Sequence, residues 1–151
     1  MKIKHLRPIM LTVLALSLVA CATSKSVSTF SPTNLSPLLQ NGEYIPKVNN
    51  FVVIFDKSGS MGETYKGKKK LNYAKDMVCR MNQTIPNLDL TGSLRIFGRL
   101  AIFSDQFTEL VWGPAAYSKD ALRDGLSMVG YSVGDSPMNL ALDATGQDLS
   151  S

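Results

Sequence analysis

Histidine is nearly missing from this chain. His5 is the only one in 151 residues, and it lies at the extreme N-terminus. A serine or cysteine hydrolase built on an imidazole base therefore has little to work with. Cysteine is almost as scarce: Cys21 and Cys79 are the whole supply, so no disulfide framework exists. Long apolar runs are missing too. The longest, Ile9 to Ala20, is too short to span a bilayer. Excess charge is only superficial. Three of the 16 Lys and Arg (Lys2, Lys4 and Arg7) sit in the first 20 residues, leaving 13 against 12 Asp and Glu. Beyond residue 20 the chain is close to neutral, so its high pI of about 9.1 does not argue for nucleic acid. No internal repeat is visible.

The N-terminus has the layout of an export signal. Lys2, Lys4 and Arg7 form a positive region, and the apolar run after them ends in small residues. Leu18-Val19-Ala20-Cys21 resembles a bacterial lipoprotein processing box. The resemblance implies that residues 1–20 are removed and that Cys21 becomes a lipidated N-terminus. Acyl chains contribute about 0.8 kcal/mol per buried CH₂, so several on one cysteine anchor firmly. Ala22, rather than Asp, follows the cysteine, and in similar lipoproteins this accompanies sorting to the outer membrane. The expected location is the cell envelope, facing the periplasm or the cell surface. Residues 21–48 are rich in Ser, Thr, Pro and Asn and read as a flexible tether with a typical reach of about 30 Å. Tyr44 and Ile45, near its end, are expected to pack on the domain that follows.

That domain, 49–151, opens on the most informative stretch of the chain. Phe51-Val52-Val53-Ile54-Phe55 is wholly apolar and reads as a strand buried on both faces, as in a parallel sheet. Asp56, Ser58 and Ser60 follow at alternate positions. They lie just past the strand's C-terminal end, where open α/β sheets place ligand sites. One carboxylate and two hydroxyls make a hard, oxygen-only donor set, suited to Mg²⁺ or Mn²⁺.

Asp56-x-Ser58-x-Ser60 followed by Met61-Gly62 resembles the metal-ion-dependent adhesion site of von Willebrand factor A domains. Gly134-Asp135-Ser136-Pro137-Met138 resembles that family's second metal loop, with Ser136 in place of a threonine and Asp135 in place of a glycine. The resemblance implies an α/β, doubly wound, mostly parallel sheet. It implies a metal held by Asp56, Ser58, Ser60 and Ser136, and a protein partner that offers an acidic residue to the open metal position. The family's third acid follows this loop on a later strand. The chain stops at Ser151, so the expectation is the N-terminal part of such a domain. Ser104-Asp105 precedes the Ser136 loop and therefore reads as a polar turn rather than as the third motif.

Other elements follow from pattern. Leu71, Ala74, Val78, Met81 and Ile85 recur at helical spacing, with Tyr73, Lys75, Cys79 and Arg80 off the stripe, and Pro86 ends the helix. Lys66, Lys68, Lys69 and Lys70 crowd its start against the helix dipole, either as a solvated charge run or as a positive rim for acidic partners. Residues 91–100 and 107–112 read as an antiparallel pair, with Gly98 as a candidate bulge, and the resemblance implies that this pair forms the sheet edge. Residues 117–129 read as a helix capped by Ser118, with Ala121, Leu122 and Leu126 inward. A last helix begins near Pro137 and buries Leu140, Ala141 and Ala144.

Enzyme readings are weaker. The segment 62–69 nearly spells a phosphate-binding loop, but Lys69 stands where a hydroxyl should hold Mg²⁺. A haloacid-dehalogenase nucleophile strand would need a second acid where Ser58 stands. The expectation is a non-enzymatic, metal-dependent binding domain. A structural envelope protein with a degenerate, metal-free site comes second, and a hydrolase third.

Overall fold

The computed structural model describes residues 30–99, 106–130 and 133–150. The export signal, Cys21, Ser104 and Asp105 lie outside them. From residue 31 onward the chain is one compact α/β unit. Its elements are helix α1 (Ser36–Gln40), strand β1 (Asn50–Asp56), a 3₁₀ turn (Gly59–Gly62), β2 (Thr64–Tyr65), β3 (Lys68–Lys69), α2 (Lys70–Thr84), β4 (Thr91–Phe97), β5 (Thr108–Ala116), α3 (Lys119–Met128) and α4 (Met138–Ser150).

The main sheet has the order β1-β4-β5. The first pair is parallel and the second antiparallel, so the sheet is mixed rather than mostly parallel among the described residues. A β1–α2–β4 crossover makes the parallel pair, as the long connection requires. β4 is the middle strand, and every residue from Gly92 to Phe97 is buried. Neighbouring residues on it face opposite helices. A Cβ at Gly125 of α3 would lie 3.4 Å from Leu94, while Arg95 bonds Asp148 of α4. Helices therefore cover both faces of the sheet.

Under α2 and α3 the core gathers Phe55, Leu71, Leu94, Ile96, Leu122, Leu126 and Val129. On the other face α4 packs across β1, β4 and β5, with Ala141 and Thr145 buried. The Thr145 hydroxyl donates to the Ala141 carbonyl at 2.7 Å, so its burial leaves no orphan donor.

β1 has a partner on one side only among the described residues. The Asn49 carbonyl accepts from Thr91 N–H, and Lys57 N–H donates to the Phe97 carbonyl. Odd positions of β1 thus face β4. By alternation the backbone groups of Asn50, Val52, Ile54 and Asp56 point toward the other edge.

Several expectations shift. Helix α2 keeps most of its apolar stripe inward, with Leu71 buried and Ala74 and Val78 packed on the core, but in the last turns Met81 is 40% exposed while Asn82 is buried. Asn82 donates to the Lys119 carbonyl at 2.8 Å and accepts from the Tyr117 hydroxyl at 2.6 Å, which turns it toward α3. Lys75 and Cys79 turn the same way. The Lys75 ammonium donates to the Val129 carbonyl at the end of α3, and Cys79 packs against the core. Burial lowers the Lys75 pKa, with Cys79 opposing, and burial raises that of Tyr117.

On α4, Ala141 is buried as expected, but Leu140 is 40% exposed and Thr145, which was not expected inside, is buried. Gly98 is not a bulge. The irregularities of the β4–β5 pair fall between Gly92 and Arg95. Tyr44 and Ile45 are exposed rather than packed, and Ser36–Gln40 of the tether is helical. Ser118 does cap α3, its side chain accepting from Ala121 N–H at 3.0 Å.

Candidate metal centre

The site begins where β1 ends. One more ladder bond, Lys57 N–H to the Phe97 carbonyl at 2.9 Å, carries the chain past Asp56. The Asp56 carboxylate then accepts the Ser58 N–H at 2.7 Å and turns the backbone sharply. The Ser58 carbonyl accepts from Met61 N–H, which starts the 3₁₀ turn.

Two other segments hold this loop. Gly59 N–H donates to the Gly134 carbonyl at 2.9 Å, and Val133 N–H donates to the Lys57 carbonyl at 3.1 Å. That reciprocal clasp ties the loop of Asp56, Ser58 and Ser60 to the loop that carries Ser136. Behind it stands Gly98, with φ +91°. A Cβ there would lie 2.3 Å from Ser58 N and 2.5 Å from its Cα. Glycine is required on both counts: the conformation is left-handed, and the backbones are too close for a side chain.

Inside this frame Ser58 is 1% exposed, and its hydroxyl lies 3.4 Å from that of Ser60. Oxygen ligands at adjacent corners of an octahedral Mg²⁺ shell stand about 3 Å apart. The two hydroxyls are thus near the spacing a shared cation demands. Ser60 is exposed, so the pair has one buried and one solvent-facing member. Asp56 is half-buried beside them. Ser136 is exposed and sits two residues past the clasp, where its carbonyl accepts from Met138 N–H at 2.9 Å at the start of α4. Asp135 is exposed next to it.

No group of three or more His, Cys, Asp or Glu is gathered among the described residues. A cation here would rest on hydroxyls and one carboxylate, a hard set that favours Mg²⁺ or Mn²⁺.

Three parts of this arrangement escaped the sequence reading: the Gly98 backstop, the Val133–Gly134 clasp and the β2–β3 hairpin. Each had a faint mark. Gly98 ends an apolar run, Gly134 precedes Asp135-Ser136, and Lys66-Gly67 is a turn dipeptide between two short polar pairs. Lys66 and Gly67 have φ +47° and +80°, as a tight hairpin turn needs.

Compared with family models, curated proteins and solved structures, the chain finds no match.

Proposed function

We propose that this chain is an envelope lipoprotein with a von Willebrand factor A-like domain that binds a protein partner through Mg²⁺ or Mn²⁺. The observation that carries the reading is the clasped loop. It sets the Ser58 and Ser60 hydroxyls 3.4 Å apart beside Asp56 and ties them to the Ser136 loop. Asp56, Ser58, Ser60 and Ser136 would hold the cation. The cation would supply a positive centre with a free position for a carboxylate of the partner.

A structural role with a metal-free site is the second reading. What favours it is the direct contact between the two hydroxyls, which satisfies Ser58 without a cation.

Titration calorimetry of the full chain in detergent separates the two. Mg²⁺ or Mn²⁺ is expected to bind the parent protein, and Asp56→Ala is expected to weaken binding at least ~10-fold, the equivalent of about 1.4 kcal/mol. The same melting temperature in metal-free buffer would show that the variant still folds. Equal affinity in both proteins rejects the site, and no binding in either favours the metal-free reading.

Anchoring has its own test. No helix among the described residues is long and apolar enough to cross a membrane, and the proposed anchor is lipid on Cys21. Labelled palmitate fed to a bacterial host should enter the parent chain and not Cys21→Ala. A mass spectrum of an unmodified Cys21 in the mature protein would refute the assignment.

A further inference from the structure

The basic segment beside the metal loop has a definite shape. β2 and β3 pair Thr64 with Lys69 and Tyr65 with Lys68, forming a hairpin with Lys66 and Gly67 at its tip. Its base is fixed to the site. Glu63 N–H donates to the Ser60 carbonyl at 3.2 Å, and Lys70 N–H donates to the Glu63 carbonyl at 2.9 Å. Tyr65 and Tyr73 meet edge to face at 6.2 Å and remain 54% and 40% exposed. The Lys66 and Lys68 ammonium groups stand over these rings at 5.3 and 5.2 Å. The aromatic pair stiffens the arm and leaves its outer surface open.

Not all the lysines are spoken for. Lys68 pairs with Asp76 and Lys70 with Glu63. Lys75 donates to the Val129 carbonyl. Lys57, Lys66 and Lys69 form no ion pair among the described residues. Lys69 also lines a cleft of about 390 Å³, with Gly62, Leu71, Asn72, Lys75 and Val129, which runs from the 3₁₀ turn to the end of α3. Unpaired positive charge and exposed tyrosine thus lie on the hairpin whose base bonds directly to the loop of Ser58 and Ser60.

We propose that the hairpin of Tyr65, Lys66 and Lys69 is a recognition arm for an acidic stretch of the partner protein, flanking the carboxylate that reaches the metal. The inference rests on the metal-dependent reading for that central carboxylate, but the arm's preference for acidic flanks stands on its own charge. Tyrosine gives contact area at small entropic cost, and the amines give steering and sign selectivity. An anionic membrane is the poorer match. Two lysines of the cluster, Lys68 and Lys70, are already paired with Asp76 and Glu63, which puts carboxylates among the amines that an anionic surface would meet.

The test uses the full chain in detergent and two dye-labelled peptides. One has a central Asp flanked by Glu, the other the same Asp flanked by Gln. With Mg²⁺ at moderate salt, the Glu peptide is expected to bind about 10-fold more tightly, a preference that fades at high salt. Lys66→Glu with Lys69→Glu should erase the preference and leave Mg²⁺ affinity unchanged by calorimetry. Lys47→Glu with Arg123→Glu, the same charge change elsewhere, should retain it. Equal binding of the two peptides overturns the proposal, as does a preference that survives the hairpin variant or is lost in the control. So does binding that goes only to phosphatidylglycerol vesicles. A parent protein that takes no Mg²⁺ yet still prefers the Glu peptide defeats the metal reading and supports the arm.

Discussion

Gly98→Val is expected to loosen the Ser58 loop and to destabilise the domain by about 2–4 kcal/mol. Two costs add. A β-branched residue at φ +91° is strained wherever it stands. Its Cβ would also lie 2.3 Å from Ser58 N, far inside contact distance, and the atoms it meets are backbone, which cannot swing aside as a side chain can. The chain has two ways to yield. It can push the Ser58 loop off the end of β4, breaking the Lys57–Phe97 bond and the clasp to Gly134, or it can unpair the end of β4. Either way the two hydroxyls lose their common frame, so Mg²⁺ binding should fall with stability. Gly98→Ala should do the same to a smaller degree. Chemical denaturation reads the stability, and amide exchange at Ser58, Gly59 and Val133 reads the loop. A variant that melts like the parent and protects those amides equally would show that Gly98 does not brace the loop.

Gly98 also shows what the sequence could and could not tell. Strand β1 was legible because seven residues with an unbroken apolar centre leave few alternatives. The Ser118 cap was legible because a hydroxyl before a helical stripe has one obvious use. The importance of Gly98 was not, since it depends on Ser58, 40 positions away, and no local pattern records that approach. The last turns of α2 departed from the apolar stripe for the same reason. Apolar spacing put Met81 inward, but the buried amide of Asn82 finds its partners at Tyr117 and Lys119, and those bonds decide which face turns to the core. The hairpin of Lys66 and Gly67 has only two residues per strand, too few for alternation to register. As for the site, Asp56, Ser58 and Ser60 are local to one loop and could be grouped by spacing. Ser136 could be joined to them only by resemblance. The clasp brings its loop against theirs but leaves Ser136 itself exposed.

The rotation of α4 has a similar cause, and it leads to the other large effect: Asp148→Ala is expected to destabilise the domain by about 3–5 kcal/mol. Arg95 projects from the middle strand toward α4. Its Nε and Nη2 donate to the two Asp148 oxygens at 2.7 Å each, and Nη1 donates to the Thr108 hydroxyl at 3.0 Å. Both charged side chains are only 11% exposed. This geometry pulls the Asp148 side of the helix onto the sheet and leaves Leu140 half in water, although Leu140 is the more apolar residue. Two charges withdrawn from water are expensive, and their mutual attraction about compensates when the fork geometry is good. Removing one partner leaves the other buried and uncompensated, which is why the single truncation is so costly. Replacing both with apolar residues of similar size, Arg95→Met with Asp148→Leu, should recover most of the loss. The pair therefore sets the helix orientation more than it adds net stability. Because α4 starts two residues after Ser136, a helix released from Arg95 should also disturb the clasp. Asp148→Ala should then lower the protection of the Gly59 amide, which donates to Gly134, while the double variant should restore it only if α4 keeps its rotation. Denaturant melting of the two single variants and the double variant closes the cycle. Single-variant losses below about 1 kcal/mol, or a double variant no better than either single one, would mean that the ion pair does not seat the helix.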